Sequence, residues 1–430
     1  MKQGQLSALG TTFLVVMLLI SFCLDFNNTA GGGAIDLRNR ITGVRLLEHG
    51  IDPYTYKWDI SQPEEYCDPF NNPLLKVSKT TASPALLLLH VLLAPLPYRL
   101  AEVIWFLLQW LLLMGTAWLW FRLCETPRQR WLLATFVTGF TYTAAWRLHA
   151  ERGQAYVLLL FLLAVWLVLT RDTKWGNRFV TGLVAGLLAT LRPPFLLLIP
   201  FLALHRRGQL AGAAVGALLG AGLPLLMNTS CWSDYFSGMQ LHSYYYRAGI
   251  DPDPPLREFP PRIEGIPTDI LARYSPIPYA DFSVQELLRG LGAVSFPAEP
   301  VVLAVAVPFV LWLWLSRRER TEQLLPGVAA WMFVTDFFLP AYRNNYVDVL
   351  MINLVALAVL AGGKISPALW PCFAALPIGW AIEALAGPST PAWVIDLPTL
   401  LFTAGAVTLL FLSTIGAKPG MVPAIRRERR

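Results

Sequence analysis

Charged side chains are scarce in this sequence: 14% of its 430 residues are Asp, Glu, Lys or Arg, while 55% are hydrophobic. Soluble domains average about 25% charged residues, so a water-soluble globule is excluded. Cysteine is sparse too. Cys23, Cys67, Cys124, Cys231 and Cys372 show no C-x-x-C or Cys/His spacing, which argues against a zinc site. The histidines form no ligand spacing either. Long strand-like alternation is missing from the two large polar segments. The chain ends lack any basic tract interleaved with aromatics, so a nucleic-acid partner is not expected. Cys67 and Cys231 both lie in the polar segments, where a disulfide and two unpaired thiols both remain open.

What the chain has instead is apolar runs from end to end. A membrane-spanning helix needs about 20 apolar residues. Runs at 8–25, 99–121, 131–146, 154–170, 179–191, 194–204, 209–226, 298–315, 324–340, 345–361, 366–386 and 398–415 read as helices at membrane depth. The pair 179–191 and 194–204 is short for two full spans. It reads as a hairpin of half-depth helices turning at Pro193-Pro194. Residues 84–97 read as an interfacial helix started by Ser83-Pro84. The first apolar run reads as a retained span rather than a cleaved signal, because no small-x-small site follows before residues 31–34. The expectation is an all-α, polytopic bundle of about 11–13 spans, one domain over 1–430, with external juxtamembrane helices. Small residues at Gly182/Gly186 and Gly212/Gly216/Gly220 would let helix backbones approach closely.

Basic residues orient this layout. With the N-terminus inside and alternating spans, 18 of the 34 basic and five of the 28 acidic residues fall in inner segments, a net +13 against −7 elsewhere. The overall +6 is therefore a topology signal. Both termini are expected in the cytoplasm, with large loops at 26–83 and 227–297 outside. Ionisable groups near spans are costly and usually functional. Glu102, Arg147, Glu151, Arg152, Arg192, Asp336, Arg343, Asp348 and Glu383 all fall at the outer level in this layout, which suggests a polar cavity opening outward. Interfacial anchoring accounts for Arg147 or Glu102 but poorly for Arg192, Asp336 and Asp348, which lie within apolar runs.

After the first span, residues 35–48 read as an amphipathic helix with Ile35, Ile41, Val44 and Leu47 on one stripe, stopped at Gly50. Asp36 opens it. Two readings stand side by side: a carboxylate facing the cavity, or a first-turn acid that complements the helix dipole and pairs with Arg40 at i+4.

Three stretches carry a resemblance. Asp36 follows the first span, and its helix runs to Gly50-Ile51-Asp52-Pro53-Tyr54. Gly153-Gln154 opens a span, and a cytoplasmic turn then leads to GLVAGLLATLRPPFLLLIPFLALHRR at 182–207. AYRNNYVDVL at 341–350 forms a polar loop before a late span. In this ordered set the chain resembles the GT-C membrane glycosyltransferases, and most of all glycosyltransferase family 87, whose polyprenyl-phosphomannose-dependent members are mannosyltransferases. The pattern covers roughly residues 1–225, and the remainder agrees in layout. Some family members carry a His in the late loop. Here the loop reads Arg343-Asn344-Asn345-Tyr346, so no role of that His is carried over.

The resemblance implies an enzyme of the cytoplasmic membrane with its site facing outside. It would move a hexose or pentose from a polyprenyl-phosphate donor to a lipid or glycan acceptor, with inversion and no cofactor. Asp36 would be the general base, and Arg192, Arg343 and Arg38 would hold the leaving phosphate. Gln154, Asp336, Asn344, Asn345, Tyr346 and Asp348 are further cavity candidates. The scheme requires no metal; Asp251-Pro252-Asp253 sits in a Pro-rich stretch and reads as a turn. The rival classes are a transporter or flippase of envelope lipids or glycans, and a non-catalytic scaffold of the same fold. Transporters usually show internal repeats and midplane charges, and neither feature is evident here.

Overall fold

Hydropathy and chain breaks together dictate the observed elements. A computed structural model describes residues 3–56, 58, 61–67, 80–171, 177–248, 298–319, 321–339, 345–361, 401–402 and 404–405. Among these residues the ordered elements are all helical. They are α1 (Gln3–Gly32), α2 (Ile35–Glu48), α3 (Pro84–Leu88), α4 (Tyr98–Phe121), α5 (Pro127–Phe140), α6 (Ala144–Glu151), α7 (Tyr156–Arg171) and α8 (Arg178–Leu191). After a 3₁₀ turn at Pro193–Leu197 come α9 (Leu198–His205), α10 (Leu210–Gly222), α11 (Cys231–Ala248), α12 (Ala298–Leu315) and α13 (Thr321–Phe338), then a 3₁₀ turn at Asn345–Leu350 and α14 (Met351–Ala361).

Among the described residues, three helices are long and apolar enough to cross a membrane: Ala8–Gly31, Tyr98–Phe121 and Arg207–Leu226. The bent pair α6–α7 would be a fourth if it forms one span. Shorter apolar helices at Arg178–Leu191, Pro193–His205, Pro300–Leu315, Gln323–Phe338 and Tyr346–Leu360 fall on expected runs. The chain is thus a multi-pass membrane protein by its helices. On α4, Leu100, Ile104, Leu107, Leu108, Leu111 and Trp118 form an exposed stripe, while Trp105, Phe106, Trp110, Leu113 and Trp120 are buried. That is a lipid face and a core face on one helix. The main apolar core runs through α7, from Val157 to Val168. The expected runs at 366–386 and, but for four residues, 398–415 lie outside the described residues.

Local chemistry explains the breaks. Thr126 caps α5 in a reciprocal capping box with Gln129, with Pro127 in the first turn. The run expected as one helix over 131–146 is instead split: α5 ends at Phe140 and Thr143 caps a new helix, its hydroxyl accepting from Trp146 N at 3.2 Å. A hydropathy scan reads through such a cap because its flanks are apolar. Ser83 caps α3 as expected, but the helix ends at Leu88 and the chain continues in turns to Pro97, which precedes α4. Arg192 precedes Pro193 and is held extended, φ −155° and ψ 137°, which ends α8 and opens the hairpin.

Beyond that hairpin, α10 returns to touch α8 backbone to backbone. A Cβ on Gly186 would sit 2.1 Å from the Ala213 carbonyl oxygen, and one on Gly216 would sit 2.1 Å from that of Leu183. Cys231 is a free, buried thiol, so the Cys67–Cys231 bridge is not formed.

Candidate active site

The chain reverses between α1 and α2 through two left-handed residues, Gly33 (φ 70°) and Ala34 (φ 46°). Tyr98 of α4 fixes the reversal by donating its hydroxyl to the Gly33 carbonyl at 2.7 Å. No side chain caps α2. Its opening N–H groups go elsewhere: Asp36 N and Leu37 N both donate to the Arg152 carbonyl, at 2.9 and 3.3 Å. Arg152 lies in the sharp turn between α6 and α7, which meet at 112°. Gly153 in that turn has φ 68°, and a Cβ there would lie 2.8 Å from the Leu37 Cβ. Any larger residue would be strained twice, by conformation and by contact.

This seating puts Asp36 against the turn. Arg152 Nε donates to Asp36 Oδ2 at 2.5 Å and Nη2 reaches Oδ1 at 3.3 Å. Gln154 Nε2 donates to the same Oδ2 at 2.6 Å. Arg40, one turn along α2, does not pair with Asp36 as its i+4 spacing suggested. It donates to the Gln154 side-chain oxygen at 2.6 Å and to the Gly153 carbonyl at 2.8 Å. Trp105 Nε1 donates to that same carbonyl at 2.9 Å. The correction has a physical cause: α2 is covered on most sides, and Arg38 and Arg40 are buried beside Leu37, Ile41 and Val44. A buried guanidinium turns to the nearest acceptors. Burial pulls the Arg40 pKa down, and the Asp36 charge works against that pull. His90, its ring tilted against that of Trp105 at 4.6 Å, has its pKa pushed down to about 3 by burial and by Arg40. It stays neutral, donating Nδ1–H to the Leu86 carbonyl.

Two residues beyond Gln154, Tyr156 opens a second cluster. Arg192 donates to Asp336 Oδ1 from Nε at 2.9 Å and from Nη2 at 2.5 Å, and from Nη1 to the Tyr156 hydroxyl. The Asp336 side chain is 2% exposed and that of Arg192 22%, so a buried acid orients a partly open cation. Tyr346 lies beside them, its ring 5.6 Å from that of Tyr156. A small cavity below Arg192, lined also by Leu163, Phe195, Met332, Phe333 and Asn353, has room for about one water.

The structure therefore brings Asp36 together with Gln154, and Arg192 with Asp336, and the α6–α7 turn joins the two clusters. Arg38 is buried on α2, and Asp348 is buried in the 3₁₀ turn at Asn345–Leu350. Arg343 and Asn344, and the Asn345 side chain, lie outside the described residues. The roles of Arg40, Trp105 and Tyr156 were not legible from the sequence, and Arg152 stood there only as one membrane-edge charge among several.

Residues 81–247 match the model of glycosyltransferase family 87. The match implies a glycosyltransferase, with a sugar donor and an acceptor. The family 87 stretch contains Arg152, Gly153, Gln154, Tyr156 and Arg192; Asp36 and Asp336 lie outside it. No curated protein and no solved structure matches the chain.

Proposed function

We propose that this protein transfers a sugar from a polyprenyl-phosphate donor to a lipid or glycan acceptor on the non-cytoplasmic face of the cytoplasmic membrane, with inversion at the anomeric carbon. One observation carries the reading: the Asp36 carboxylate is held by Arg152 and Gln154 of the family 87 stretch, at the turn whose Tyr156 also holds Arg192.

In this scheme Asp36 takes the proton of the acceptor hydroxyl as its oxygen attacks the anomeric carbon. The bond from that carbon to the phosphate oxygen breaks on the opposite face, and the electron pair leaves with the lipid phosphate. Arg152 and Gln154 hold the carboxylate in place by donating to it. Arg192, with Arg343 and Arg38, offsets the charge of the leaving phosphate. Asp336 and Tyr156 fix the Arg192 fork, which stays partly exposed.

The test is incubation of purified protein with polyprenyl-phosphate mannose, glucose or a pentose and an envelope-lipid extract. At least one donor should be consumed. Transfer from none of them counts against an enzyme and favours a transporter or scaffold.

Two expected results follow. Arg192→Lys keeps a charge for Asp336 but loses the planar fork. Its KM for donor should rise about tenfold, and an unchanged KM would remove Arg192 from the phosphate site. The orientation is tested with single cysteines placed by Glu64→Cys and Arg128→Cys, both exposed positions. A membrane-impermeant reagent added outside should label the first and not the second; the reverse pattern would put the site in the cytoplasm.

A further inference from the structure

Asp36 does not meet Arg40 directly, yet the two are joined through one amide. Gln154 accepts from Arg40 Nη2 at 2.6 Å and donates to Asp36 Oδ2 at 2.6 Å. A glutamine amide can sit either way round, and its two ends are of opposite character. Turned over, Gln154 would aim its carbonyl oxygen at the carboxylate and its N–H groups at a guanidinium. Arg40 forbids that arrangement, because a guanidinium has only donors. Arg40 itself is anchored on the Gly153 carbonyl at 2.8 Å, which Trp105 also holds. It is 8% exposed and is buried on the helix that carries Asp36.

We infer that Arg40 is a positioning residue for the proposed transfer: it locks the Gln154 amide with its N–H on Asp36 Oδ2, and so sets the orientation of the Asp36 carboxylate. The inference rests on the reading of Asp36 as the base. The consequence is directional. With Oδ2 occupied by both Arg152 Nε and Gln154 Nε2, Oδ1 is the oxygen with more capacity left, its contact with Arg152 Nη2 being the long one at 3.3 Å. Oδ1 is then the atom that takes the acceptor proton. Arg40 touches no substrate in this arrangement. Its effect passes through Gln154 and falls on the rate of the bound complex rather than on binding.

A double-mutant cycle of Arg40→Met and Gln154→Leu tests this, with transfer from the polyprenyl-phosphate donors normalised to folded protein. Each single variant should lower kcat about tenfold with donor KM within twofold, the size expected for a misaligned reacting group. The double variant should be no worse than the poorer single, because both break one chain of contacts. Arg40→Lys should recover most of the loss. If Arg40→Met does not fold, Arg40→Gln, which is not restricted to donors, takes its place in the cycle. Additive losses, or a normal kcat in Gln154→Leu, would overturn the inference while leaving Asp36 as base. Full transfer by Asp36→Asn would overturn both.

Discussion

Asp36→Asn is expected to insert, fold and bind donor, yet to transfer sugar about 10²-fold more slowly or worse, the usual worth of a positioned general base. Asparagine keeps the size and an acceptor oxygen for Gln154 and Arg152, so the seat of α2 on the Arg152 carbonyl is retained. The contrasting idea gives Asp36 a purely structural part, as the anion for Arg152. Under that idea the thermal midpoint falls while turnover per folded molecule holds. Measuring both on one preparation separates them. Near-normal turnover would remove Asp36 from the mechanism.

The largest effect on stability is expected at the α8–α10 contact. Gly186→Leu adds a side chain whose first carbon already meets the Ala213 carbonyl oxygen at 2.1 Å and Ala217 N at 2.7 Å. Backbone atoms cannot move aside as side chains do, so the helices must part, at a cost of about 3 kcal/mol or more. That would carry Arg192, at the end of α8, away from Asp336. Gly222→Ala is the control, since nothing lies within 4 Å of a Cβ there. Loss of folded protein in Gly186→Leu with a normal Gly222→Ala is the expected outcome; equal stability of the two would contradict the close packing.

Much of this frame is legible in the sequence, because its signals are local. Pro193-Pro194 ends a helix whatever surrounds it, Gly50 stops α2, and the glycine spacings of 182/186 and 212/216/220 announce a close helix pair. Asp36 and Arg192 stand out because charge is costly beside apolar runs. What the sequence hides is partnership. Arg152 lies 116 residues from Asp36, and Asp336 lies 144 from Arg192. Arg40, at the near spacing of four, is the natural partner until burial turns it to Gly153 and Gln154 instead. The break at Thr141–Thr143 is hidden for another reason. It depends on a single hydroxyl cap inside an apolar stretch, and hydropathy averages over it.

The central claim, an inverting transfer from a lipid phosphate, is tested most directly by the anomeric configuration of the product. Purified protein would be given polyprenyl-phosphate mannose and an envelope-lipid extract, and the new linkage read by NMR. The expected result is a product of inverted configuration, with polyprenyl phosphate released in equal amount and no transfer from a nucleotide sugar. A retained configuration, or transfer from the nucleotide sugar alone, would contradict a single displacement assisted by Asp36.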